Sequence, residues 1–363
     1  MKNKIIKIGL LALFPIAILL NYISSLNPNL TEKIYSTKIN KYVIQFISRI
    51  TNIFPISLYD IFLCITILCL IAYLIYTFIT AFRSNVNFIK VLSNALLNIL
   101  ATASLMYFLF MTLWGINYNR ISFSDSIGLP KEIYSKKELA EFYEYLIDEV
   151  NTMRSQIAVD TDNIMTINGG YKSVFERSQA GYNTLSDKYP TLSGKYGTPK
   201  PLLSSELFNY AGITGIYFPF TAQANVNVRE PIMTLPFTTM HEMAHQRGYA
   251  HENEANFIAF LTCVNHPDPD FKYSGYLTAL GYTSNALYKE DRDLLKELNN
   301  KLSNDVRSDI MYKSKFWQQY EGPIDKVSSK VNDVYLKSNG VQDGEKSYGR
   351  MVDLLLNYYM SQK

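Results

Sequence analysis

Three stretches without a charged residue constrain this chain more than any other feature. They lie between Lys7 and Glu32, between Asp60 and Arg83, and between Lys90 and Arg120. Each holds an apolar run of about 20 residues, the length that carries a helix across a bilayer. The sequence therefore predicts three transmembrane helices, near Ile5–Ile23, Ile56–Phe82 and Phe88–Ile116, the last two joined by a short turn over Arg83–Asn87. A cleaved secretory signal is the competing reading of the first, because Lys2, Lys4 and Lys7 precede a short apolar core containing Pro15. No convincing small-x-small cleavage site follows it.

The remaining charge is nearly balanced, at +3 over 363 residues, and points to no nucleic-acid partner. A basic amino terminus favours a cytoplasmic start. Three spans then place everything after Ile116 outside the cytoplasm, at the plasma membrane, with Arg83 and Lys90 inside. Lys33, Lys38, Lys41 and Arg49 in the first outer loop count against this sidedness. Loss of the first segment would leave two spans and the same outcome. Cys64 and Cys69 fall in the second span and Cys263 stands alone, so the soluble part has no pair to bridge.

From Asn117 onward the chain turns polar and carries charges at helical spacing, which predicts a helix-rich α+β domain over 117–363 behind a membrane region over 1–116. Ser135 to Glu138 is a capping-box signature ahead of Leu139, Phe142, Leu146 and Val150. A helix is expected over Tyr171–Tyr189, a loop over Ser193–Pro201, and short strands over Ile213–Phe218 and Asn225–Val228. Further helices are expected from about Pro236 to Gly248, over Glu252–Val264, and over Tyr273–Tyr288, Lys289–Tyr320, Ile324–Leu336 and Lys346–Met360.

Chemistry concentrates in one run. Three of the four histidines lie in His241-Glu242-Met243-Ala244-His245-Gln246-Arg247-Gly248-Tyr249-Ala250-His251. On a helix, His241 and His245 share a face and can offer two imidazole nitrogens to one metal ion, while Glu242 reaches its open side. Catalytic zinc usually takes three protein ligands and a water, so one more ligand is needed. His251 would complete the His-Glu-x-x-His-x-x-Gly-x-x-His pattern of metzincins, although the methionine of Ser308-Asp-Ile-Met311-Tyr312 sits in helical sequence rather than in a turn. Glu252 and Glu254 are the other candidates, and only one can face the metal because they point about 200° apart on a helix. Glu252 shares its face with Ala255 and Ala259, which let helices approach closely, and is favoured over Glu254, which sits with Ile258 and Leu261. With so little thiolate in the chain, an open zinc site fits better than a closed structural one. His266 reads as a surface-loop residue and Arg247 as a helix-terminal charge.

The run from Glu252 to Ala259 resembles the zinc-binding Glu-x-x-Ala-Asp helix of gluzincin peptidases, with Asn256 in the place of the aspartate. Trp114 to Arg120, Tyr217 to Thr221, Asn225 to Asn227 and the two motif helices together resemble the bacterial family of three-span membrane proteins named domain of unknown function 3810. The resemblance covers essentially the full length. It implies a zincin-like peptidase domain outside the membrane, with no assigned substrate. The expected activity is zinc-dependent hydrolysis of a peptide or protein substrate, with Glu242 taking a proton from water and passing it to the leaving amine. Tyr217, Tyr249 and Tyr312 are possible oxyanion donors, none of them assigned, and the Asn225–Val228 strand is a possible edge to which a peptide could add. An inactive zincin acting as a membrane-anchored binding module is the alternative. An intramembrane protease is disfavoured, since Arg229, Glu230 and Arg247 flank an apolar core too short to span.

Overall fold

Burial of apolar surface divides this chain between two environments. The computed structural model describes residues 2–83, 87–339, 341 and 350–363. Among them, three helices, Lys2–Leu26, Leu58–Arg83 and Phe88–Leu113, are long and apolar enough to cross a membrane. We call them spans 1, 2 and 3. Their side chains are largely uncovered by protein, which is compatible with surface that meets lipid. Helices suit that setting because every backbone group is paired within the segment. Ser104 of span 3 donates to the Leu10 carbonyl of span 1 at 2.7 Å, and Asn98 of span 3 to Tyr73 of span 2 at 2.8 Å. Most of the turn expected over Arg83–Asn87, and the start of the helix expected at Lys346, lie outside the described residues; the latter helix runs over Met351–Ser361.

The segment between spans 1 and 2 is not a loop. Thr31–Asn40 winds as a π-helix and Lys41–Thr51 as an α-helix, and both fold onto the rest of the protein. Asn40 donates to the Leu113 carbonyl that ends span 3 (2.7 Å), and Asn117 donates back to Asn40 (3.1 Å). Ser48 and Gln45 bond to Gln246, Gly197 and Lys195. Lys41, one of the basic residues that weighed against an outward domain, donates to Pro190 and Ser193. The globular body thus draws on residues on both sides of spans 2 and 3.

In that body the Leu235–Gln246 helix is the centre, buried on nearly every side. Glu252–Val264 packs along it, and Pro269–Glu290 and Lys136–Arg154 close the far side. The capping box at Ser135 forms as expected, with Ser135 and Glu138 exchanging bonds. The helix expected over Tyr171–Tyr189 breaks into Gly170–Arg177 and Gln179–Ser186, and the one expected over Lys289–Tyr320 into Arg292–Asn299 and Asn304–Gln318.

The sheet described here has three strands in the order β1-β3-β2, where β1 is Lys200–Pro201, β2 Gly215–Phe218 and β3 Gln223–Val226. β2 and β3 are antiparallel, with Gly215 opposite Val226, and β1 and β3 are parallel. This corrects one expectation. The Asn225–Val228 segment is no edge, because β1 occupies its second side; β2 is an edge of the sheet, and it passes over the motif helix.

Arg120 joins the parts. It leaves span 3, forms a two-pronged ion pair with Glu32 (2.8 and 2.7 Å), and donates to the carbonyls of Arg247 and Gly248 just past the motif helix. Its side chain is 3% exposed and that of Glu32 13%. Removing one partner of such a pair strands the other charge, at a cost of about 3–5 kcal/mol. Arg120→Ala is therefore expected to lower the thermal unfolding midpoint of the detergent-solubilised protein well below that of Lys131→Ala, whose partner Asp125 is solvated. Equal midpoints would contradict the role given to Arg120.

Candidate metal centre

Two helices meeting at a tight turn build the site. Pro236 in the first turn of Leu235–Gln246 uses a position where no intrahelical N–H bond is needed. The helix ends where Gly248 adopts φ +83°, the left-handed conformation that lets the chain double back. Glu252 then opens the next helix.

The turn brings Glu252 against both motif histidines, with Oε2 at 3.2 Å from His241 Nε2 and Oε1 at 3.6 Å from His245 Nε2. One ligand atom from each of the three residues lies within 4.8 Å of the other two. Two donors each about 2.0–2.1 Å from a tetrahedral zinc stand about 3.3 Å apart, so both histidine–glutamate separations suit ligands of one ion. His245 Nδ1 is 2.7 Å from the Tyr249 carbonyl. That contact requires the proton on Nδ1 and leaves Nε2 facing the cluster, the nitrogen that a metal ion would take in place of a proton. Trp114 sets its edge against the His245 ring at 5.6 Å. Asn256 stands beside His241 and favours its protonated form.

The other candidates point elsewhere. Glu254 is buried and accepts from the Ser124 amide (3.1 Å) and hydroxyl (2.9 Å). His251 donates from Nε2 to the Tyr118 carbonyl at 3.0 Å. Neither joins the cluster. Met311 lies within the Asn304–Gln318 helix. His266 is not a surface residue: it is fully buried, stacked on Phe271 at 3.8 Å, with Nε2 on the Arg177 carbonyl and Nδ1 accepting from the Asp268 amide. Arg247 is likewise buried, between the rings of Tyr182 and Tyr196, and one of its donors goes to Met243 in the last helical turn.

Electrostatics follow from burial. Burial pushes the Glu242 carboxyl up to about 8, with Glu252 and Glu230 adding to the rise and His245 opposing it. Burial also works against charge on His245, but Glu252 outweighs it and holds the imidazole up at about 9. Against the same burial penalty, the two histidines keep the Glu252 carboxyl well below the usual range. Glu252 is thus ionised and faces two imidazole nitrogens, a donor set that could hold a divalent cation.

Sequence reasoning missed two residues here. Gly215 of β2 lies on Glu242, and a Cβ there would fall 2.6 Å from Glu242 Cγ, so only glycine lets the strand pass; an isolated glycine in a strand was the available signal. Glu230 is buried with Oε1 lacking a hydrogen-bond partner among the described residues, while Oε2 accepts from Thr234 and Thr238. Both residues lie along a cavity of about 1050 Å³ that also contains His241, Glu242, His245 and Glu252. Of the three tyrosines considered, Tyr217 lines this cavity, with a hydroxyl unpartnered among the described residues. Tyr249 is bonded to Thr191, and Tyr312 is exposed.

Fold and site together define a protein with three helices long and apolar enough to cross a membrane and a largely buried His–His–Glu cluster beside the Glu242 carboxyl. The family model described as "Protein of unknown function (DUF3810)" matches residues 35–356, and the chain belongs to that family. No curated protein and no solved structure matches it.

Full-length protein purified in detergent is expected to bind one equivalent of zinc. His241→Ala and Glu252→Ala should lose it, and Glu254→Ala should keep it in whatever fraction stays folded; inductively coupled plasma mass spectrometry decides. A second expectation concerns Glu230, which burial pushes up from 4.5 to about 8. A carboxyl that holds its proton more tightly when folded weakens the fold as pH rises between those values, by at most about 1.4 kcal/mol per pH unit. In the presence of EDTA, Glu230→Gln should flatten the decline of stability from pH 5 to pH 8, and a parallel decline in both proteins would refute the assignment.

Proposed function

We propose that the protein is a membrane-anchored, zinc-dependent metallopeptidase with a zincin-like domain that acts on peptide or protein substrates. The observation that carries this reading is the convergence of His241 Nε2, His245 Nε2 and the Glu252 carboxylate, with Glu242 beside them on a cavity wall. Bound zinc would supply Lewis-acid polarisation of a water and of the scissile carbonyl. Glu242 accepts the proton as the water oxygen bonds to the carbonyl carbon, then delivers it to the nitrogen as the C–N bond breaks, leaving a carboxylate and an amine. A group with pKa near the working pH serves both transfers. β2 supplies an open sheet edge on which an extended peptide can lie by backbone pairing; it takes the part expected of the Asn225–Val228 strand.

Span directions support a domain outside the cytoplasm, at the plasma membrane. Asn119 bonds to Asn21 and Ser24 near the end of span 1, the Leu58 amide to Gln223, and Asn40 to Leu113, so these three span ends face the domain. Lys7 and Lys90 then fall at the opposite membrane face, where cytoplasmic basic residues collect.

Glu242→Gln keeps the shape of the side chain but removes the proton acceptor. The variant is expected to retain zinc and lose peptide hydrolysis by about 10²–10⁴-fold. Equal hydrolysis by both proteins would overturn the mechanism. Unaltered function in cells carrying the variant would favour the non-enzymatic binding module.

A further inference from the structure

The cavity does not stop at the His–Glu cluster. It continues along β2 to Tyr59 and Phe110, residues of spans 2 and 3. β2 begins with Gly215 on Glu242 and ends with Phe218, whose ring lies 5.1 Å from both Tyr59 and Phe62. Phe220 stacks on Phe62 at 5.8 Å, with the rings 9° from parallel. From Gly215 to Phe218 is three residues of strand, about 10 Å. Phe62 sits one turn inside span 2, so about that length separates the Gly215–Glu242 contact from the rings at the start of span 2.

The opposite wall leads to the same place. It is formed by the Pro323–Ser338 helix, which presents Val331 and Tyr335 to the cavity. Tyr335 packs against Phe110 in the last turn of span 3 at 6.4 Å. The same helix leaves Ile324, Val327 and Val334 exposed.

We propose that the substrate is a polypeptide anchored in the same membrane, which reaches the cluster along β2 from the ends of spans 2 and 3 and is cut close to its anchor. This rests on the peptidase reading. An anchored chain leaves the bilayer beside the aromatic end of β2 and pairs with that edge at once. Anchoring also confines the substrate to the surface on which the cavity opens, raising its effective concentration over that of a free peptide.

The test uses the full-length protein, loaded with zinc and reconstituted in phosphatidylethanolamine–phosphatidylglycerol liposomes. Two probes are compared at equal total concentration: a randomised tract of about 25 residues, ~80 Å when extended, fused to a polyleucine transmembrane segment, and the same tract without the segment. Mass spectrometry of released fragments should find at least roughly tenfold more product from the anchored library, with cuts within about eight residues of the segment. Equal product from the two libraries would overturn the membrane route while leaving the peptidase reading standing. No product from either library in zinc-loaded protein would overturn both.

Discussion

Arg120 is the interaction on which the rest depends. The carbonyls at the end of a helix lack intrahelical partners, and in the motif helix two of those nearby are met by a guanidinium that arrives from the end of span 3. The same guanidinium is neutralised by Glu32, which arrives from the end of span 1, and lies over the Tyr249 ring at 4.0 Å. A cation enclosed this way is tolerable only while each partner stays in place. The helix that carries His241 and His245 is therefore tied to the ends of spans 1 and 3 by the partners of one enclosed charge.

The cluster itself is a balance between desolvation and mutual attraction. Three ionisable groups are held within 4.8 Å of one another, each mostly buried, on the wall of the cavity. Without a cation, His245 carries the positive charge that Glu252 requires. A divalent cation would replace that proton and satisfy both histidines together. Glu252 also opens its helix, where the unpaired amides of the first turn favour a negative charge. Glu242 keeps Oε2 unpartnered among the described residues, the oxygen available for proton transfer in the proposed reaction.

Much of this was legible in local sequence. Charge-free runs located the three long apolar helices, and the small residues Ala255 and Ala259 identified the face of the second motif helix that carries Glu252. The remainder depends on partners distant in the chain. Nothing local marks 27–57 as part of the globular body, since Asn40, Gln45 and Ser48 are ordinary polar residues until their partners 73 to 198 positions away are known. β1 is two residues long and hidden among glycines and prolines, so the order of the sheet, and hence which strand is an edge, could not be read. His266 resembled a loop residue because its cover, Phe271 and Arg177, comes from tertiary packing.

The five residues from Arg247 to His251 connect the two helices of the cluster. Gly248 reverses the chain, and Tyr249 fixes the proton on His245 through its carbonyl. Moving Gly248 would move the reversal, and moving Tyr249 would take its carbonyl away from His245 Nδ1. The proposed ligand set therefore depends on the order of residues inside the link as well as on the ligands at its two ends.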